Sequence, residues 1–236
     1  MSIAAETAVG TALADAAARL SAAGISDARR EARLLVAEAL GWDAARVLGF
    51  PEAEMTAAAG RRLGERERVY RVLDFGTGSG CLLLALLSEL PNALGTGVDR
   101  SEGALETARR NAAALGLGGR TQFVRGNWGD SLSGEWHVIL TNPPYIPSQA
   151  LQTLMPEVAR YEPKLALDGG ADGLEAYRVL APEIARLLAP TGIAAVEVGD
   201  GQGPAVAAIM AQVGLVLRDI RHDLSGVDRC IVLGQD

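Results

Sequence analysis

Aromatic residues are scarce, with three Phe, four Tyr and three Trp among 236 residues, so the core has to be built from Leu, Val, Ala and Ile. Cysteine is scarcer. Cys81 and Cys230 sit in apolar runs without metal-ligand spacing or a disulfide framework, which points to a reducing cytoplasm and to no metal centre. The two histidines, His137 and His222, stand outside any Ser, Cys or Asp triad pattern. Hydrolase chemistry therefore has little support, and both read as structural. No apolar run approaches the ~20 residues that span a bilayer, so no membrane partner is expected. Positive charge is not in excess either: 22 Lys and Arg face 29 Asp and Glu, a net charge of −7. That balance argues against a broad phosphate-binding surface. No direct nucleic-acid contact is expected, and Arg61-Arg62 and Arg109-Arg110 read as solvated helix faces. The Ala-rich start carries Glu6 and Asp15 before its first basic residue, Arg19, which is not the pattern of a signal peptide.

Glycine is plentiful, and its placement is informative. Tyr70 to Phe75 reads as a buried strand, Gly76-Thr77-Gly78-Ser79-Gly80 as a tight turn, and Cys81 to Leu87 as the start of an apolar helix. Glycines in such a turn remove Cβ atoms and tolerate positive φ, so a ligand can approach the backbone. The dinucleotide fingerprint G-x-G-x-x-G would need its third glycine at position 81, where this chain has Cys81. A second strand, Leu94 to Val98, ends in Asp99, placed to accept hydrogen bonds from both hydroxyls of a ribose. That role serves an adenosyl and a nicotinamide ligand equally; the competing reading makes Asp99 the cap of a helix beginning near Ser101. A third strand, Thr121 to Val124, leads into Gly126-Asn127-Trp128, where an adenine can lie against the indole and meet a side-chain amide. Plain core packing of Trp128 is the alternative.

The fourth strand, Trp136 to Thr141, delivers Asn142-Pro143-Pro144-Tyr145. The Asn142 side chain offers a carbonyl acceptor, and the two prolines remove N–H groups while keeping their carbonyls. Pro143 also pushes Asn142 into an extended conformation, so the turn is stiff before any substrate arrives. Tyr145 supplies a flat face for stacking. An acceptor-rich, stiff loop suits a planar nitrogen, whose NH2 group must be held by its hydrogens and aimed. As an ordinary Asn/Pro turn the segment would mean nothing. Together with strands that all end in candidate ligand groups, it indicates an S-adenosylmethionine-dependent methyltransferase acting on an amide or exocyclic amine, with no metal required. Nucleic-acid amines remain an alternative substrate, and cofactor sensing without catalysis an alternative role.

Upstream, residues 1–67 read as helical throughout (4–23, 26–40, 43–48 and 52–66), with Ser26 as a cap and Gly41 as a stop. Downstream, Leu174 to Leu188 and Pro204 to Val213 read as helices. Gly192 to Val198 reads as a strand with Glu197 near its end, where it could assist the chemistry or stabilise the sheet edge. Leu215 to Asp219 and Cys230 to Gly234 read as a closing antiparallel pair.

The run Val72 to Gly80, Val98-Asp99, Asn127-Trp128, Asn142-Pro143-Pro144-Tyr145-Ile146 and Tyr161-Glu162-Pro163 resembles the PrmC/HemK family of protein-glutamine methyltransferases over most of 70–236, and more weakly at the N-terminus. The resemblance implies an α/β fold: a Rossmann-like, seven-stranded S-adenosylmethionine-dependent methyltransferase domain at 70–236, preceded by a small all-α, substrate-docking domain at 1–67. It further implies cofactor contacts from Gly76, Thr77, Gly78, Ser79, Gly80, Asp99, Asn127, Trp128 and Asn142. Asn142, Pro143 and Tyr145 would be catalytic, with Pro144 also lining the substrate site. The implied substrate is the glutamine of the Gly-Gly-Gln loop in peptide-chain release factors. This chain has Asn127 where the family usually has Asp, and Phe75 where it usually has Leu. At 64–71 it lacks the family's β-hairpin and the Pro-Arg-Pro-Glu-Thr-Glu segment that borders the active site.

Overall fold

A computed structural model of the chain describes residues 69–90, 92–130, 132–153, 163–223 and 225–236. The helices expected over 4–23, 26–40, 43–48 and 52–66, residues 64–68 of the short junction, and Tyr161-Glu162 lie outside the described residues. All seven expected strands are present and belong to one sheet. The chain divides into two compact units, one ending at Arg125 and one beginning at Gly126.

The first unit carries β1 (Arg71–Phe75), α1 (Cys81–Glu89), β2 (Leu94–Asp99), α2 (Glu102–Ala114) and β3 (Thr121–Arg125). Its strands run parallel in the order β3-β2-β1. The α1 sequence is apolar nearly all round, and accordingly every residue from Cys81 to Leu87 is buried. Helix α1 can lie close to β2 because of glycine: a Cβ on Gly95 would stand 2.6 Å from Leu87 Cδ1 and 2.8 Å from Leu83 Cδ1. Arg120 ties down the end of α1 and the turn after it: its guanidinium donates to Leu87 O at 2.8 Å, Leu90 O at 2.8 Å and Ala93 O at 3.0 Å. Helix α2 is amphipathic and buries Leu105, Ala108, Asn111 and Ala112.

Glu89, in the last turn of α1, is costly. Its Oε1 meets no hydrogen-bond donor among the described residues, and burial raises its carboxyl pKa from 4.5 to about 7; the negative end of the helix dipole acts in the same direction. A raised folded-state pKa means that the fold prefers the protonated acid. Its contribution is therefore intact below the unfolded value near 4.5 and is lost as pH rises through about 7. Glu89→Gln should stabilise the fold at pH 8 by on the order of 2 kcal/mol, read as a raised thermal midpoint, and leave the midpoint nearly unchanged at pH 4.5. Equal shifts at both pH values would exclude titration of Glu89 as the cause.

The second unit carries β4 (Trp136–Thr141), the short α3 (Lys164–Leu167), α4 (Glu175–Leu187), β5 (Leu188–Glu197), α5 (Gly203–Ala211), β6 (Leu215–His222) and β7 (Asp228–Gln235). Its strand order is β4-β5-β7-β6. Strand β5 is parallel to β4 and antiparallel to β7, and β6 is antiparallel to β7. Strand β5 begins four residues before the expected Gly192. Leu188 already pairs with Trp136, and the register then shifts so that Val138 faces Ile193. The exposed Pro190 and Thr191 sit in that irregularity, which is where a proline can be tolerated in a sheet. With β4 on one side and β7 on the other, β5 is interior, so Glu197 does not stabilise a sheet edge. No described helix is long and apolar enough to cross a membrane.

Candidate functional site

In the first unit the β1–α1 turn is left-handed at Gly76, Gly78 and Gly80, with φ of 66°, 55° and 80°. A Cβ-bearing residue adopts such angles at a cost. Several bonds tie the turn down. Thr77 N donates to Val98 O at 3.0 Å, the Thr77 hydroxyl donates to Asp74 Oδ2 at 2.6 Å, and Asn111 Nδ2 donates to Ser79 O at 2.9 Å. Gly97 makes room for this arrangement, since a Cβ there would lie 2.7 Å from Thr77 Oγ1. Asp99 reaches the same turn: Gly78 N donates to its Oδ2 at 2.9 Å and Ser101 N to its Oδ1 at 2.8 Å. The helix cap is a different residue, because Ser101 Oγ accepts from Ala104 N at 3.3 Å.

The turn fits a nucleoside. Among the described residues, a Cβ on Gly78 would find only Gly76 O within 4 Å, at 3.9 Å, so the described structure leaves that backbone open to a ligand. Each Asp99 oxygen, already oriented by one N–H, retains lone-pair capacity for a hydroxyl.

In the second unit, Asn127 is exposed and Trp128 half-buried. Trp128 has φ 55°, rare for a bulky residue and of the kind that clusters at functional sites. The loop is pinned to α4: Arg186 donates to Gly129 O and Leu132 O, both at 3.0 Å, and pairs with Glu183 at 2.5 Å. A Cβ on Gly129 would collide with the Glu183 carboxylate.

Asn142 to Tyr145 leave the end of β4, with Thr141 and Pro143 buried and Asn142, Pro144 and Tyr145 half-buried. The segment that follows is clamped. Ile146 N donates to Leu167 O at 3.0 Å and Gly169 N to Ile146 O at 2.8 Å, while Ser148 N donates to Gly170 O at 2.8 Å. Gly169 is needed here, because a Cβ on it would lie 2.8 Å from Tyr145 Cα. The Tyr145 hydroxyl donates to Glu197 Oε1 at 3.4 Å, and the Tyr177 hydroxyl donates to Glu197 O at 3.0 Å. Burial pushes the Tyr177 hydroxyl pKa well above its usual range, so it stays a donor at every working pH. The sequence reading missed Tyr177, Gly169, Gly173 and Gln202. For Gly169, Gly173 and Gln202 the signals were the glycine-rich run after Pro163 and the turn after β5; Tyr177, in the apolar stripe of α4, had none.

Residues 11–66 match the model of the PrmC N-terminal domain and residues 61–161 that of the methyltransferase small domain. A release factor glutamine methyltransferase of Bradyrhizobium diazoefficiens is 38% identical, with 91% of this chain and 91% of the relative covered. The chain belongs to the release factor glutamine methyltransferase family. The Rhodospirillum rubrum member is 52% identical over 69% of this chain but only 50% of its own length; the chain thus spans about half of that relative. Among solved structures, the ribosomal protein L11 methylase of Lactobacillus delbrueckii subsp. bulgaricus superimposes with a TM-score of 0.54 at 17% identity, covering 78% of this chain and 80% of the other. That places the family member among Rossmann-like methyltransferase folds. The two family models meet at 61–66 with no residue between them. The alignment with the Bradyrhizobium relative runs over 269 positions, more than this chain's 236 residues, so that relative has residues without a counterpart here.

Proposed function

We propose that this chain methylates the side-chain amide nitrogen of a protein glutamine, that of the Gly-Gly-Gln loop of peptide-chain release factors, in the cytoplasm. The observation that carries the reading is the Asn142 to Tyr145 loop: acceptor-rich, stiffened by two prolines, and clamped through Tyr145, Ile146 and Ser148. S-adenosylmethionine, when bound, supplies an electrophilic methyl carbon and a neutral leaving group. Gly76 to Gly80 and Asp99 hold its nucleoside, and Asn127 and Trp128 take the adenine. The Asn142 side-chain carbonyl and the Pro143 carbonyl accept the two amide hydrogens and aim the nitrogen, while Pro144 and Tyr145 wall the pocket. Methyl transfer of this kind depends on alignment and exclusion of water more than on a strong base. As the nitrogen gains positive character, the acceptors bind it more tightly than in the ground state; the methyl–sulfur bond breaks as the methyl–nitrogen bond forms, and one N–H proton leaves to solvent to give the neutral methylamide. Residues 1–67 serve as the docking domain for the protein substrate.

A glutamine on a flexible loop reaches such a pocket without the cost of flipping a base, which runs to a few kcal/mol in a duplex. With isotopically labelled cofactor, label is expected on release factors, to disappear when the Gly-Gly-Gln glutamine is replaced, with DNA and RNA unlabelled. Label on nucleic acid alone would establish an amine methyltransferase of nucleobases instead. Cofactor binding with no labelled acceptor would leave a binding module.

A further inference from the structure

We propose that Gln202 is the positioning residue of the amide-holding loop; the inference rests on the glutamine-methylating reading of that loop. The side chain of Gln202 joins three segments that are distant in sequence. Its Nε2 donates to Tyr145 O at 3.0 Å and to Gly173 O at 3.4 Å, and its Oε1 accepts from Gly199 N at 3.0 Å. Both hydrogens of the amide and one acceptor site are thereby used. Glycines frame it: a Cβ on Gly199 would stand 2.7 Å from Gln202 Oε1 and 3.0 Å from Tyr145 Cδ2, and a Cβ on Gly173 would stand 2.7 Å from Gln202 Nε2.

Two further observations separate this from routine helix capping. Gln202 occupies the N-cap position of α5, yet its side chain makes no capping bond to that helix; it turns back toward Tyr145. The loop also needs an outside donor. Pro143 and Pro144 have no N–H, so their segment offers mainly carbonyls for anchoring, and the Tyr145 carbonyl is the one Gln202 takes. With both proline φ angles fixed near −65°, only the ψ angles of Pro143 and Pro144 are left to absorb a displacement at Tyr145 before it reaches Asn142.

The test uses Gln202→Met, which keeps the length of the side chain and removes all three bonds, and Gln202→Glu. The Glu variant keeps an acceptor for Gly199 but turns a carboxylate oxygen toward two carbonyls. In the full chain both should lower kcat on the glutamine substrate by about a hundredfold, the scale of a loss from misplacement. The KM and Kd for the cofactor should stay within about twofold. Amide hydrogen exchange at Ile146, Ser148 and Gly169 should accelerate in both variants. Normal turnover with unchanged exchange would overturn the proposal. A parallel collapse of kcat and cofactor affinity would overturn it too, by making Gln202 a residue of the fold. If the wild-type chain methylates no glutamine, the functional reading fails by itself, and exchange at those amides still decides whether Gln202 holds the loop.

Discussion

Asn142→Ala should lower turnover on the glutamine substrate by about two to three decades while cofactor affinity stays within a few-fold. Asn142 follows the buried Thr141 at the end of β4 and precedes the buried Pro143, so its backbone is held on both sides and the substitution removes the side-chain amide alone. That amide is assigned a contact that matters most when charge develops on the transferring nitrogen. Loss of one preorganised polar contact of this type costs roughly 3–4 kcal/mol in the barrier. Single-turnover kinetics separates the barrier from product release, and calorimetry with the cofactor supplies the second number. A variant with near-normal single-turnover rate would remove Asn142 from the chemistry, and the acceptor-rich loop would lose its function. The Gln202 variants provide the graded comparison: they keep the Asn142 amide but displace it, so their loss should be smaller than that of Asn142→Ala.

The parts of the site that were legible in the sequence are the local ones. A strand, a glycine turn and an apolar helix follow one another within Arg71–Glu89, and the positive φ at Gly76, Gly78 and Gly80 is what that spacing is for. Asp99 was equally legible because the end of a parallel strand is fixed by its neighbour: Gly97 and Val98 of β2 face Asp74 and Phe75 of β1 in register. Gln202 was not legible. Its partners lie 57 and 29 residues upstream, and no periodicity ties a residue at the start of a helix to a proline turn that far away. Tyr177 was hidden for a different reason. It sits in the apolar stripe of α4 with Ala176, Leu180, Ala181 and Ile184, where a tyrosine reads as core; only the geometry shows its hydroxyl meeting the carbonyl of Glu197. The start of β5 was misplaced because Pro190 and Gly192 carry turn chemistry, and the sheet accommodates them in an irregularity.

Asp99→Ala should weaken cofactor binding by about two decades, the largest effect expected at the nucleoside end. The carboxylate has two roles that the substitution removes together. Toward the protein it orients the turn, taking Gly78 N on Oδ2 and Ser101 N on Oδ1; toward the ligand its remaining lone pairs are assigned to the ribose hydroxyls. Hydrogen bonds to a charged group contribute about 1.5–3 kcal/mol each, and 1.4 kcal/mol is a factor of ten in affinity, so loss of both ribose contacts gives about two decades at the lower figure. The freed Gly78 N–H adds to that by loosening a turn whose left-handed angles need support. Asp99→Asn should fall between the variant and the wild type, because the amide keeps one acceptor but turns a second donor toward a backbone N–H. Calorimetry with S-adenosylmethionine and its demethylated product measures both variants, and NAD should give no heat with any of them. Wild-type affinity in Asp99→Ala would show that the carboxylate serves the turn alone. NAD binding in place of the sulfonium nucleoside would overturn the reading of the glycine spacing from which the cofactor assignment began.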